Sequence, residues 1–210
     1  DPFVLATTYG FPIELTLELA KEKGSIINLE DFNKKMMEHQ KLSQTSSAGM
    51  FKGGLADAGG ETKKLHTATH LLNAALHIVL GNHIMQKGSN ITGERLRFDF
   101  SHSQKMTEEE KKRVEEIVND KISEKLPVSF IEMPKIDAEK IAAHSFDEKY
   151  GDIVKVYSIG DEKTGYFSRE FCGGPHVKNT SELGHFKIQK EEAVAQGIRR
   201  IKATFRELQG

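Results

Sequence analysis

His66 and His70 stand four residues apart in HTATH, and Cys172 and His176 stand four apart in CGGPH. Three imidazoles and one thiolate make a tetrahedral Zn²⁺ donor set, with bonds of roughly 2.3 Å to sulfur and about 2.0–2.1 Å to nitrogen. HTATH runs into the apolar stretch LLNAAL and reads as the first turns of a helix over 66–81. An i, i+4 pair there projects from one face, one turn apart. CGGPH brackets two glycines and a proline, so it reads as a tight loop whose backbone can fold back and bring both donors to one point. Taken singly, each histidine is more often a solvated or core side chain, and a lone cysteine is about as often a small buried hydrophobe. The chain has nine histidines and one cysteine, and that cysteine is spaced from a histidine as a ligand would be. The coincidence points to one zinc per chain, held by His66, His70, Cys172 and His176.

The elements that must position these donors follow from periodicity. Residues 1–42 read as helical, with apolar positions in ELTLELAKEKG and LEDFNKKMMEHQKL. Residues 43–64 lose all periodicity, are rich in Gly, Ser and Ala, and read as a linker. From 65 to 210 the pattern is mixed. ERLRFDFS (94–101) alternates, with Leu96, Phe98 and Phe100 on one face and Arg95, Arg97 and Asp99 on the other, as a half-buried strand does. TEEEKKRVEEIVNDKISEKL (107–126) opens with a capping box, Thr107 and Glu110, and carries a stripe of Val114, Ile117, Val118 and Ile122. VSFIEM, DIVKVYSIG, YFSREF, GHFKIQ and IRRIKATF read as further strands, and DAEKIAAHSF as a short helix. This order predicts an α+β fold, an antiparallel sheet with helices packed on one face.

Bulk numbers bound the function. With 210 residues, 37% hydrophobic and 29% charged, the chain is a globular domain with an appendage. No apolar run reaches membrane-spanning length and no signal peptide opens the chain, so a soluble, cytoplasmic protein is expected. The net charge of −1 means that a nucleic-acid partner would need a local basic face. Candidates are Lys187, Lys190, Arg199, Arg200 and Lys202 in the last strands and Arg95 and Arg97 before FDF. Strand alternation divides such a set between two faces, so at most part of it lines one groove. A single cysteine excludes an internal disulfide framework. A start at Asp1 reads as a piece of a longer protein, and the pattern specifies no oligomeric state.

HTATHLL, QKGSNI, RLRFDFSH, EKYGD, CGGPHV, ELGHFKI and GIRRIKA together resemble the editing domain of alanyl-tRNA synthetases. TYGFPIELT (8–16) is similar to the end of that family's helical tRNA-recognition region. The resemblance implies hydrolysis of Ser-tRNA(Ala) and Gly-tRNA(Ala), a zinc cofactor, and the acceptor end of tRNA(Ala) as partner. It places ATP and Mg²⁺ in an aminoacylation domain outside this chain. It singles out Gln86, in QKGS, as the catalytic-site residue after the ligands, since a neutral amide can hydrogen-bond a substrate hydroxyl or carbonyl. Thr67, Lys87, Arg199, Arg200 and Lys202 are the expected substrate and tRNA contacts. Three departures stand out. The family's small β-barrel before HxxxH is replaced by the linker. The usual CGGTH carries Pro175, as in the CRGPH of threonyl-tRNA synthetases. The usual DTYG carries Thr7. Two other readings stay open: a zinc-stabilised tRNA-binding module with weak or no deacylase activity, and a threonyl-type editing domain.

Overall fold

A computed structural model of the chain describes residues 1–9, 11–47, 55–57, 59–142, 151–163 and 165–206. Residues 48–54 and 58 of the expected linker, the end of DAEKIAAHSF and the glycine of TTYG lie outside the described residues. The chain divides into two compact units, Asp1–Gly49 with Ala193–Gln196, and Met50–Glu192 with Gly197–Gly210.

The first unit holds α1 (Pro2–Tyr9), α2 (Ile13–Glu22) and α3 (Leu29–Ser47). Its helices bury little. Among the described residues, Thr16 and Phe32 are its buried side chains, while Leu15, Leu19 and Met37 stay exposed.

The second unit holds α4 (Gly60–Leu80), α5 (Glu108–Ser123), the short α6 (Lys135–Ala138) and seven strands, β1 (Gln86–Ile91), β2 (Leu96–Ser101), β3 (Val128–Pro134), β4 (Ile153–Asp161), β5 (Gly165–Phe171), β6 (His185–Ala195) and β7 (Ile198–Arg206). The fold is α+β with antiparallel pairing, as expected, but the strands form two sheets and not one. A four-stranded sheet runs β1-β2-β7-β6, and a three-stranded sheet runs β3-β4-β5. Alternation marks a strand without naming its partner, and here the three strands that come next after α5 pair among themselves, Val128 opposite Ile159 and Val156 opposite Phe171, while the last two join β1 and β2.

The main core lies between the four-stranded sheet and α4 and α5. Leu96, Phe98, Phe100, Phe186 and Ile201 from the strands meet Leu65, Leu71, Leu72, Leu76, Val114 and Val118 from the helices. Each such side chain stabilises the fold by about 1.5–3 kcal/mol through burial. The capping box of α5 forms as its sequence predicts: Thr107 Oγ1 accepts from Glu110 N at 3.1 Å, and Glu110 Oε2 accepts from Thr107 N at 2.8 Å. Along β6, a sheet edge, the side chain of Asn119 brackets the backbone of Phe186 and Glu115 accepts from Ile188 N, so α5 covers an edge that would otherwise template aggregation. A smaller cluster, Ala138, Val154, Val156 and Phe171, seats α6 on one face of the three-stranded sheet.

Helix α4 departs from expectation at its start. It begins at Gly60, so GETKK, read as linker, supplies its first turn, and α3 likewise runs on to Ser47. One polar turn carries no apolar periodicity, which is why it reads as loop. The consequence is useful: His66 and His70 sit in the helix interior, not in a fraying first turn. Gly81 closes the helix at φ 104°, a conformation side-chain-bearing residues rarely adopt.

Candidate metal centre

The four expected donors converge. One ligand atom from each of His66, His70, Cys172 and His176 lies within 4.8 Å of the others. Cys172 Sγ is 3.3 Å from His66 Nε2 and 3.4 Å from His176 Nε2. A tetrahedron built on the bond lengths of zinc needs roughly 3.6 Å between sulfur and nitrogen. The helix face supplies two donors and the loop after β5 supplies two, and the first three are buried.

The second nitrogen of each imidazole is already engaged. His66 Nδ1 stands 3.0 Å from the Pro175 carbonyl, which can only accept, so this nitrogen carries the proton and Nε2 presents its lone pair. His70 Nδ1 stands 3.3 Å from Glu170 Oε2. His176 Nδ1 stands 3.1 Å from Thr67 Oγ1. Thr67 donates its one hydroxyl proton to the Lys63 carbonyl at 3.1 Å and accepts from Val177 N at 3.2 Å. His176 Nδ1 must therefore be the donor in that pair, which again leaves Nε2 free. Glu170 is held in turn by Asn73 Nδ2 and Ser168 Oγ, each at 3.1 Å. Outer partners of this kind fix ligand tautomers and ring orientation.

Electrostatics favours the metal-ready state. Burial, and then the neighbouring His70, push the His66 pKa down from 6.5 to about 3. Burial pushes His70 down to about 4. Burial, followed by its two imidazole neighbours, holds His176 well below its ordinary value. All three are neutral at neutral pH, as ligation requires. The donor set, its spacing and its tautomers fit Zn²⁺.

Gly174 has a steric reason. A Cβ built on it would lie 2.4 Å from His66 Cε1 and 3.2 Å from Leu55 Cδ1. The loop backbone presses on the imidazole, and only glycine allows that approach.

Comparison with known proteins agrees with this geometry. Residues 154–202 match the family model described as the threonyl and alanyl tRNA synthetase second additional domain. Residues 1–112 match the model described as tRNA synthetases class II (A). The alanine–tRNA ligase of Treponema denticola is 56% identical over 202 residues, covering 96% of this chain and 33% of that protein. That of Borreliella burgdorferi is 57% identical with the same coverage. That of Listeria monocytogenes is 51% identical over 144 residues, 68% of this chain and 16% of the relative. The chain belongs to the alanyl-tRNA synthetase family. It spans about a third of the length of the two spirochaete relatives. No described helix is long and apolar enough to cross a membrane.

The other residues singled out by resemblance to alanyl-tRNA synthetases fare differently. Thr67, expected against substrate, is fully buried and its hydroxyl is committed to the loop and to His176. It positions a ligand. Gln86 and Lys87 open β1, a strand the sequence did not betray because QKGSNI lacks alternation. The far end of β1 lies toward the metal loop: Ile91 bridges Leu55, whose side chain abuts Gly174. Gln86 stands five residues back along the strand, roughly 16 Å away from Ile91.

Most of the basic candidates are partnered with acids, while Arg95 donates to Asn90 Oδ1 at 3.0 Å. Arg200 makes a bidentate pair with Asp99, its direct cross-strand neighbour, at 2.6 and 2.7 Å. Asp99 holds the Arg200 pKa above its ordinary value. Arg199 pairs with Glu191, and Lys202 with Glu192 at 2.9 Å. Alternation puts Arg200 and Lys202 on the outer face of β7, and Arg199 on the face of Ile201 and Ala203. Sequence reasoning missed Glu170 and Asn73 altogether. The signal was there: Glu170 precedes Cys172 by two on a strand and Asn73 follows His70 by three on a helix, which puts both on ligand-bearing faces.

Proposed function

We propose that residues 65–210 are an editing domain that hydrolyses the aminoacyl ester of mischarged Ser-tRNA(Ala) and Gly-tRNA(Ala). The helices α1 to α3 belong to a tRNA-recognition region, and the residues between Ser47 and Gly60 link the two. The whole protein is an alanine–tRNA ligase, attaching alanine to tRNA(Ala) with ATP and Mg²⁺ in a domain outside this chain. The observation that carries the reading is the four-donor centre, found in a chain that matches the synthetase second additional domain.

In the reaction, water adds to the ester carbonyl and the terminal ribose hydroxyl of the acceptor end leaves. Zinc held by His66, His70, Cys172 and His176 would supply a fixed point that positions the ester end. His66, His70 and His176 stay neutral because they are buried, and correctly turned because Pro175, Glu170 and Thr67 hold their Nδ1 atoms. We assign Gln86 to the reading of the substrate hydroxyl through its neutral amide. A site built to bond a hydroxyl rejects the analogue lacking it by large factors, which is the discrimination against alanine that editing needs. Lys87 meets phosphate, as do Arg200 and Lys202 on releasing Asp99 and Glu192. Arg199, paired on the core-side face, contributes to shape.

A second reading has one observation behind it. Four protein donors close a tetrahedral site, the pattern of structural zinc. On that reading the chain binds tRNA and edits weakly or not at all. Incubating the purified chain with seryl-, glycyl-, alanyl- and threonyl-charged tRNAs, with and without a chelator, separates the two. Chelator-sensitive release of serine and glycine, with alanine retained, supports editing. Release of none of them from tRNA(Ala) sinks it, and preferential release from seryl-tRNA(Thr) makes the specificity threonyl-type.

A further inference from the structure

Next to the metal centre, one face of the three-stranded sheet is aromatic. Phe130 on β3 stands opposite Tyr157 on β4, which stands opposite Glu170 on β5. These three form a row across the sheet. The Tyr157 ring lies 4.2 Å from the ring of His176, a metal ligand, and the Phe130 ring lies 5.1 Å from that of Tyr157. The same face continues inward through Ile159 and Val128, which pack into the main core beneath α4. Outward, among the described residues, it is only partly covered: Phe130 is 47% exposed. Lys155 Nζ sits 4.7 Å over the Phe130 ring and 3.5 Å from Glu132, with which it makes an exposed pair.

An exposed phenylalanine is common and by itself means little. This one differs in its surroundings. It continues a row of tilted rings that ends on the candidate ligand His176, and a cation stands beside it. Proteins that hold unpaired nucleic acid combine those two features, aromatic faces for bases and basic side chains for the backbone.

We infer that Phe130 and Tyr157, with Lys155 at their edge, form a stacking platform for the unpaired base at the 3′ end of an RNA strand. The inference rests on the editing reading above, and it identifies how the substrate's terminal nucleotide is held. A base stacked on Phe130 places its ribose toward Tyr157 and His176, so the ester on that ribose faces the metal. Lys155 exchanges its exposed pair with Glu132 for a phosphate. Stacking tolerates any base, so the platform orients the end of the strand without reading its sequence.

The test is direct binding, read by anisotropy of a 5′-labelled single-stranded oligoribonucleotide with a free 3′ hydroxyl. Ligands are the intact oligonucleotide and the same strand with an abasic 3′-terminal nucleotide. Proteins are the whole chain, Phe130→Leu and Phe130→Tyr, each checked for metal content. The intact strand is expected to bind Phe130→Leu on the order of tenfold to a hundredfold more weakly than it binds the parent, and Phe130→Tyr about as well as the parent. The abasic strand is expected to bind the parent as weakly as the intact strand binds Phe130→Leu, with no further loss when both changes are combined. A general weakening of the fold would not produce that coupling. Equal binding of intact and abasic strands, or of parent and Phe130→Leu, overturns the platform, as does no binding to the parent. Hydrolysis is not needed for the readout. A chain that binds bases but releases no amino acid keeps the platform and loses the editing reading; one that edits without base-dependent binding does the reverse.

Discussion

Gly174→Ala tests whether the metal loop is held by close contact, without replacing any of the four donors. The new Cβ would sit 2.4 Å from His66 Cε1 and 2.9 Å from its Nδ1. Carbon atoms rest at about 3.5–4.0 Å, so something must move by about 1 Å. The imidazole has no room to give. Its Nδ1 is tied to the Pro175 carbonyl at 3.0 Å, and its ring stacks on His176 at 4.2 Å. Leu55 closes the other side at 3.2 Å. Moving the loop instead carries Cys172 and His176 with it. Either way a donor shifts by far more than the tolerance of about 0.2 Å on metal–ligand distances. Overpacking costs about 1–3 kcal/mol, and loss of the Pro175 hydrogen bond alone lowers metal affinity about 10- to 100-fold. The assay is zinc affinity by chelator competition, with metal content and thermal unfolding measured on the same samples. Gly60→Ala is the control, since its Cβ meets nothing within 4 Å, and it is expected to keep zinc and stability. Full zinc affinity in Gly174→Ala would refute the reasoning, because a loop free to move aside cannot be what fixes His66.

Three further outcomes are expected. Cys172→Ala should lose stoichiometric zinc and unfold more easily, because metal binding is coupled to folding; unchanged metal content removes Cys172 from the site. Gln86→His should keep zinc and fold but lose seryl-tRNA(Ala) hydrolysis by roughly ten- to a hundredfold, the cost of about 1–3 kcal/mol for an unpaired buried group; unchanged hydrolysis makes Gln86 a strand residue only and moves the reading of the hydroxyl toward the metal loop. The metal-free chain should lose stability as pH falls from about 6.5 toward 4.5. The sign follows from the folded pKa values: His66 at about 3, His70 at about 4 and His176 well below 6.5 refuse protons that the unfolded chain accepts. Glu170 opposes them, because burial raises its pKa to about 7 and it takes up a proton in the folded state that the unfolded chain releases. Three imidazoles against one carboxyl leave a slope of about 2.7 kcal/mol per pH unit, which flattens as the folded His70 and then His66 take up protons near 4 and 3. Urea unfolding at a series of pH values in chelator measures it, and a flat profile contradicts the burial of these groups.

What was legible in the sequence was local. Thr107 and Glu110 cap α5 three residues apart, and Leu96, Phe98 and Phe100 alternate within a single strand; both signals lie inside the element they specify. The ligands were legible because histidine and cysteine at ligand spacing are a rare coincidence of residue type. Everything else that shapes the centre depends on partners distant in the chain. Strand β1 exists because β2 offers it a ladder, and nothing in QKGSNI alternates. The division into two sheets is a matter of pairing, which alternation leaves open. The charges of Arg200 and Lys202 suggested a groove only so long as Asp99 and Glu192 were not seen to meet them. Gly174 was correctly suspected, yet for backbone freedom, when its reason is the imidazole pressed against it. The same holds for the chemistry of the ligands. A histidine four residues from another says that nitrogen is available, not which nitrogen. That choice is made by a carbonyl at Pro175, a hydroxyl at Thr67 and a carboxylate at Glu170, none of which is unusual in type. Residue types announce the donors, and the folded backbone decides how they are presented.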